Sequence, residues 1–195
     1  MTENTFLIVG LGNPGREYKD NRHNVGFMLV DRLTVRLDAR LSRMQAKALV
    51  GSVNYEGNKL IFAKPQTYMN LSGQSIQGVA RFYKLPLENM IVAHDDLDLP
   101  FGTIRIRPGG GPGGQRGVAS TIERLGTKDF RRLRIGIGRP PGRMDPAAYV
   151  LQDFAQADLM LLSEILDHAA NAVLTFVTHG LDAAMNKFNG DVAGL

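Results

Sequence analysis

The chain is 195 residues long, 44% hydrophobic and 22% charged, which suits one globular domain with room for a buried core. It contains no cysteine, so disulfides, thiolate metal sites and a cysteine nucleophile are excluded. A net charge of +4 favours a polyanionic partner; with no apolar run near the roughly 20 residues of a membrane span and no basic flank of a secretory signal, the expectation is a cytoplasmic protein that contacts no membrane.

Phe6-Leu7-Ile8-Val9 reads as a buried strand. The polar stretch from Gly10 to Asn24 follows, and Gly26, Leu29, Val30, Leu33 and Leu37 then share one helical face. Lys47 to Tyr55 and Lys59 to Ala63 are strands joined by a turn at Glu56-Gly57-Asn58. Apolar positions 76, 79, 80 and 83 predict a helix with Asn70 or Ser72 as its N-cap. Met90 to Ala93 is a short strand ending in His94-Asp95-Asp96-Leu97-Asp98.

Gly102 to Arg107 alternates with period two, isoleucines on one face and arginines on the other. Pro108 to Gly117 is a glycine-rich loop, and Val118, Ile122 and Leu125 mark a short helix closed by Gly126. Arg132 to Gly138 alternates again, and a long helix runs from about Ala157 to Val177. Strands interleaved with helices predict a single α/β domain, residues 1–188, with a twisted, mostly parallel, mixed sheet and helices on both faces. Residues 189–195 are expected to be a flexible tail.

Gly10, Gly12 and Gly15 match a dinucleotide-binding fingerprint, but the helical pattern starts only near Gly26 and Asp31 lies inside it, so no nicotinamide cofactor is expected. His23 falls at the carboxyl edge of the sheet just before a helix. A helix N-terminus disfavours imidazolium and leaves the ring able to accept a proton. Asp95, at the end of another strand, is the carboxylate best placed to hold its tautomer. The acidic cluster around Asp95 lacks a second ligand set, so no metal is expected.

Asn13 and Asn70 both come at strand-to-helix junctions, where a carboxamide offers a donor and an acceptor to a substrate carbonyl or a water. Arg105 and Arg107, the glycine-rich loop with Gln115-Arg116, and the second basic segment Arg131, Arg132 and Arg134 point to phosphate oxygens of a nucleic acid. The plainer reading of these arginines is a solvated edge that resists strand pairing.

Taken together, Ile8-Val9-Gly10-Leu11-Gly12-Asn13-Pro14-Gly15, Arg22-His23-Asn24-Val25-Gly26, Thr67-Tyr68-Met69-Asn70-Leu71-Ser72-Gly73, Val92 to Pro100 and Arg132 to Gly138 resemble the bacterial-type peptidyl-tRNA hydrolases. The motifs keep the family's order over nearly the whole chain. The resemblance implies a metal-independent esterase without cofactors, usually monomeric, that cleaves peptidyl-tRNA between the peptide and the terminal ribose. By that match His23 is the general base, or positions and activates the attacking water, and Asp95 orients it. Asn13 and Asn70 match substrate- and water-positioning asparagines, and Arg105, Arg107 and Arg134 match basic positions that grip tRNA. Tyr18 shares the His23 loop and is expected to wall the crevice.

The chain departs from the family where a His-Asn pair is usual and Gln115-Arg116 stands instead, with Pro112 where a histidine is common. Gln115 can still donate and accept; Arg116 cannot accept, but can contact the terminal phosphate of tRNA. The departure leaves an alternative open: a non-hydrolysing RNA-binding relative, as in plant organellar splicing factors of this family.

Overall fold

A computed structural model describes residues 4–192. The first apolar run forms β1 (Thr5–Gly10), and Val25–Arg36 forms α1 after two single turns of 3₁₀ helix at Arg16–Tyr18 and Arg22–Asn24. β2 (Arg43–Gln45), β3 (Ala48–Tyr55) and β4 (Asn58–Pro65) make an antiparallel run, with Glu56 and Gly57 both at positive φ in the tight β3–β4 turn. α2 (Ser72–Phe82), β5 (Met90–Asp96), β6 (Thr103–Arg107), α3 (Arg116–Leu125) and β7 (Arg131–Gly136) follow. α4 (Pro146–Val150), α5 (Leu159–His179), α6 (Leu181–Phe188) and β8 (Gly190–Asp191) complete the elements among the described residues.

One eight-stranded sheet results, in the order β2-β3-β4-β1-β5-β7-β6-β8. The pairings inside β4-β1-β5-β7 are parallel, as the interleaved helices require. Both flanks are antiparallel, so the parallel share is smaller than the sequence suggests. Short connections explain this: β3 returns through a tight turn into β4, and only the segment 97–102 links β5 to β6, so neither link holds a crossover helix. One face buries Leu29, Leu33, Leu166, Val173 and Phe176 of α1 and α5 against Ile8, Phe62 and Ile91. The other buries Ile76 and Val79 of α2 and Val118 of α3 against Leu7, Val9 and Val92.

Three expectations change. β5 does not stop at Ala93; His94, Asp95 and Asp96 continue it because each has a register partner in β7, from Arg134 to Gly136. The segment from Asn189 is not free up to the last described residue. Asn189 accepts from Ile106 N at 2.6 Å and donates to Ile106 O at 3.1 Å, and Val192 N donates to Gly102 O. Residues 193–195 of the expected tail lie outside the described residues. Finally, Gln156–His179 is long and apolar enough to cross a membrane by length and composition, yet α5 carries ten buried residues packed in the core of the sheet's first face.

Candidate functional site

The loop glycines set the site by packing rather than by holding phosphate. A Cβ on Gly10 would overlap the Gly26 carbonyl, and one on Gly26 would overlap the Ala93 carbonyl and stand 2.6 Å from Leu11 N. Backbone therefore meets backbone where α1 crosses β1 and β5, with Leu11 N donating to Ala93 O. A Cβ on Gly12 would stand 2.7 Å from the Phe27 ring. With α1 held this close, the 3₁₀ turn before it places His23 over the carboxyl ends of the central strands.

There His23 Nδ1 meets Asp95 Oδ2 at 2.7 Å across 72 residues of sequence. Asp95 is 3% exposed, and its other oxygen, Oδ1, accepts from Gln115 Nε2 at 3.0 Å. An ionised carboxylate is acceptor only, so Nδ1 is the nitrogen that donates to it and Nε2 the one left to take a proton.

Asn13 is buried. Its Oδ1 accepts from Met69 N at 2.8 Å, so the donor end of the carboxamide remains for a ligand. The sequence suggests both roles for it; the approach of the Met69 backbone uses the acceptor. Asn24 secures the loop in return, accepting from Asn13 N and donating to Asn13 O, each at 2.9 Å. Asn70 does not cap α2: the N-cap is Leu71, without a side-chain bond, because a 3₁₀ turn at Met69–Leu71 leads into the helix. Asn70 is left exposed and free to meet a ligand.

These side chains line one cleft of about 520 Å³. Asn13, His23, Asn70, Asp95, Asp96, Gln115, Arg116 and Asp145 supply its polar groups, and Tyr68, Leu97, Val150 and Leu151 its apolar wall. Tyr18 is not part of this lining. Gly15, at φ 119°, turns the chain into the separate Arg16–Tyr18 turn ahead of the His23 turn, so sharing a loop does not bring Tyr18 to the crevice. The wall at α4 has no counterpart in the sequence reading, although Asp145-Pro146, an N-cap followed by proline at the first helical position, is a readable start signal. Arg22 ties this wall to the histidine turn: its guanidinium lies 4.3 Å from the Tyr149 ring centroid and donates to Asp153 O at 3.0 Å. Asn21 Nδ2 adds a bond to Asp153 Oδ1.

The arginines separate into distinct jobs. Arg105 is exposed and Arg107 partly so, on the β6 face opposite Ile104 and Ile106. Arg134, directly across from Arg105, donates Nε to Asp96 Oδ2 at 2.7 Å and so is partly neutralised. Arg132 is buried and belongs to no solvated basic edge. It donates to Gly111 O at 2.7 Å and Lys128 O at 3.1 Å, bracing the glycine-rich loop, while burial pulls its pKa down to about 10. Among the described residues no group of three or more His, Asp and Glu side chains gathers as a metal site.

The family model described as peptidyl-tRNA hydrolase matches residues 7–194. Peptidyl-tRNA hydrolase of Frankia alni is 48% identical over 184 residues, covering 94% of this chain and 93% of its own. That of Rhodococcus jostii is 47% identical over 190 residues, covering 97% and 100%. The crystal structure of peptidyl-tRNA hydrolase from Acinetobacter baumannii superposes with a TM-score of 0.90 at 37% identity, covering 98% of this chain and 97% of that one. A peptidyl-tRNA hydrolase solved in complex with N-propanol gives the same TM-score at 38% identity, covering 96% of each chain. With this fold, and with a histidine, carboxylate and asparagines joined from distant parts of the sequence in one cleft, the chain belongs to the peptidyl-tRNA hydrolase family.

Proposed function

We propose that the protein hydrolyses the ester between a peptide and the terminal ribose of tRNA, with His23 Nε2 taking a proton from the attacking water. The observation that carries this is the His23–Asp95 contact at 2.7 Å at the floor of the cleft. Asp95 holds the ring in the tautomer that presents Nε2 and stabilises the imidazolium that forms as water attacks. The Asn13 donor and the Asn70 carboxamide are available to the substrate carbonyl, where negative charge develops. An ester is activated relative to an amide, so one base is enough, supplying roughly 10²- to 10⁴-fold; the reaction as proposed needs neither metal nor cofactor.

Arg105, Arg107 and Arg134 would receive phosphates of the tRNA on the β6–β7 face, and Arg116 those nearest the ester. The enzyme would act as a monomer in the cytoplasm, returning tRNA from stalled or dropped-off peptidyl-tRNA. Neither the family match nor the relatives give support to the non-hydrolysing alternative. The test is hydrolysis of an N-blocked aminoacyl-tRNA in chelator. The wild type is expected to turn over, and folded His23→Ala to lose roughly 10²- to 10⁴-fold in kcat/KM. Equal turnover by the two would remove His23 from the mechanism.

A further inference from the structure

Gln115 stands where two demands meet. As N-cap of α3 its Oε1 accepts from Val118 N at 2.9 Å, satisfying one of the helix's free amide donors. From the same carboxamide, Nε2 donates to Asp95 Oδ1 at 3.0 Å, and it also lies 3.2 Å from Met69 Sδ. Gln115 is 8% exposed and Asp95 3%, so neither contact is shared with bulk water. The carboxylate is thus gripped at both oxygens, by His23 on Oδ2 and by Gln115 on Oδ1.

We propose that Gln115 is a positioning residue for hydrolysis, fixing Asp95, and through it the plane of the His23 ring, to the N-terminus of α3. The amide cannot flip without losing both bonds, since exchanging its oxygen and nitrogen would set N–H against Val118 N–H and an oxygen against the carboxylate. The donor also carries no proton that titrates near neutral pH, so the grip on Asp95 is constant over the pH range in which His23 must change charge. Removing it would leave Oδ1 buried and unpaired, concentrate the carboxylate's charge on the histidine side, and raise the affinity of His23 for its proton. The base would then be occupied at pH values where the wild type is free.

This rests on the hydrolase reading above, and the test separates the two. Gln115→Asn keeps a good cap but is one methylene short of Asp95. The variant is expected to fold, to lose kcat by roughly 10- to 100-fold, in line with the cost of a misplaced catalytic group, with KM little changed, and to move the rising limb of the pH–rate profile upward. NMR titration of the His23 ring, which needs no substrate, should show the same upward shift in Gln115→Asn. A role confined to capping predicts wild-type kcat and an unmoved His23 titration in Gln115→Asn, and that result would overturn the proposal. A wild type that fails to hydrolyse the ester would overturn the reaction while leaving the titration to decide the positioning.

Discussion

Asn24 does not line the cleft, yet the loop that carries Asn13 and His23 depends on it. Its carboxamide mimics a facing strand, pairing with both the N–H and the carbonyl of Asn13 in the interior. Truncation would leave both buried and unpaired, at about 1–3 kcal/mol each. Asn24→Ala is therefore expected to lower stability by about 2–6 kcal/mol, read by denaturant unfolding, and to reduce activity as Asn13 loses its aim. Asn13, His23, Asn70 and Asp95 are legible in the sequence because polar groups at strand ends are conspicuous. Asn24 is not, since a polar side chain beside a helix start reads as a cap until its partner eleven residues back is seen. Arg132 misleads for a related reason: alternation assigns a face, and a face of arginines reads as solvated, but a loop folds over this one and offers it two carbonyls.

Among the elements, those long enough to show a period are readable: β1, β3, β4, β6, β7, α1, α2, α3 and α5. The three-residue β2, the two-residue β8 and α4, a helix of little more than one turn, are not, because so short a run completes too little of its own period to reveal a face. The omission matters most at α4, which walls the cleft. The exposed arginines of β6 can be tested as an element. Replacing Arg105 and Arg107 together by Ala should weaken tRNA binding and reduce the log–log salt slope by about one for each phosphate that is no longer neutralised. The measurement is affinity across a salt series. Hydrolysis of a minimal ester lacking the tRNA body should be unaffected, because neither residue lines the cleft.

At the scale of the whole molecule, stability carries a trace of His94. This histidine is buried beside the Asp95 side chain, its Nδ1 donating to Asp95 O at 2.8 Å and its Nε2 without a partner among the described residues. Burial lowers its pKa, outweighing the upward pull of the Asp95 carbonyl and of the Asp95 and Asp96 charges; Arg132 adds to the lowering. The unfolded chain thus binds a proton near pH 6.5 that the folded protein refuses. Stability should fall as pH drops through about 6.5 toward the lower folded value, by up to about 1.4 kcal/mol per pH unit, and be level in this respect above it. Denaturation of wild type and His94→Gln at about pH 7 and about pH 5 checks this: the variant should show the shallower decline.

The two-residue β8 has a consequence for how copies of the molecule behave toward one another. Together with the Asn189 carboxamide, it occupies the outer edge of β6, which would otherwise present unpaired amides along the strand that bears Arg105 and Arg107. An open edge invites a second chain. Ending the chain after Phe188 should therefore produce concentration-dependent self-association, visible by light scattering, and the same pairing would crowd the two arginines and weaken tRNA binding as protein concentration rises. On this reading a small hook near Asp191 would keep the proposed tRNA face of β6 open by keeping the molecules apart.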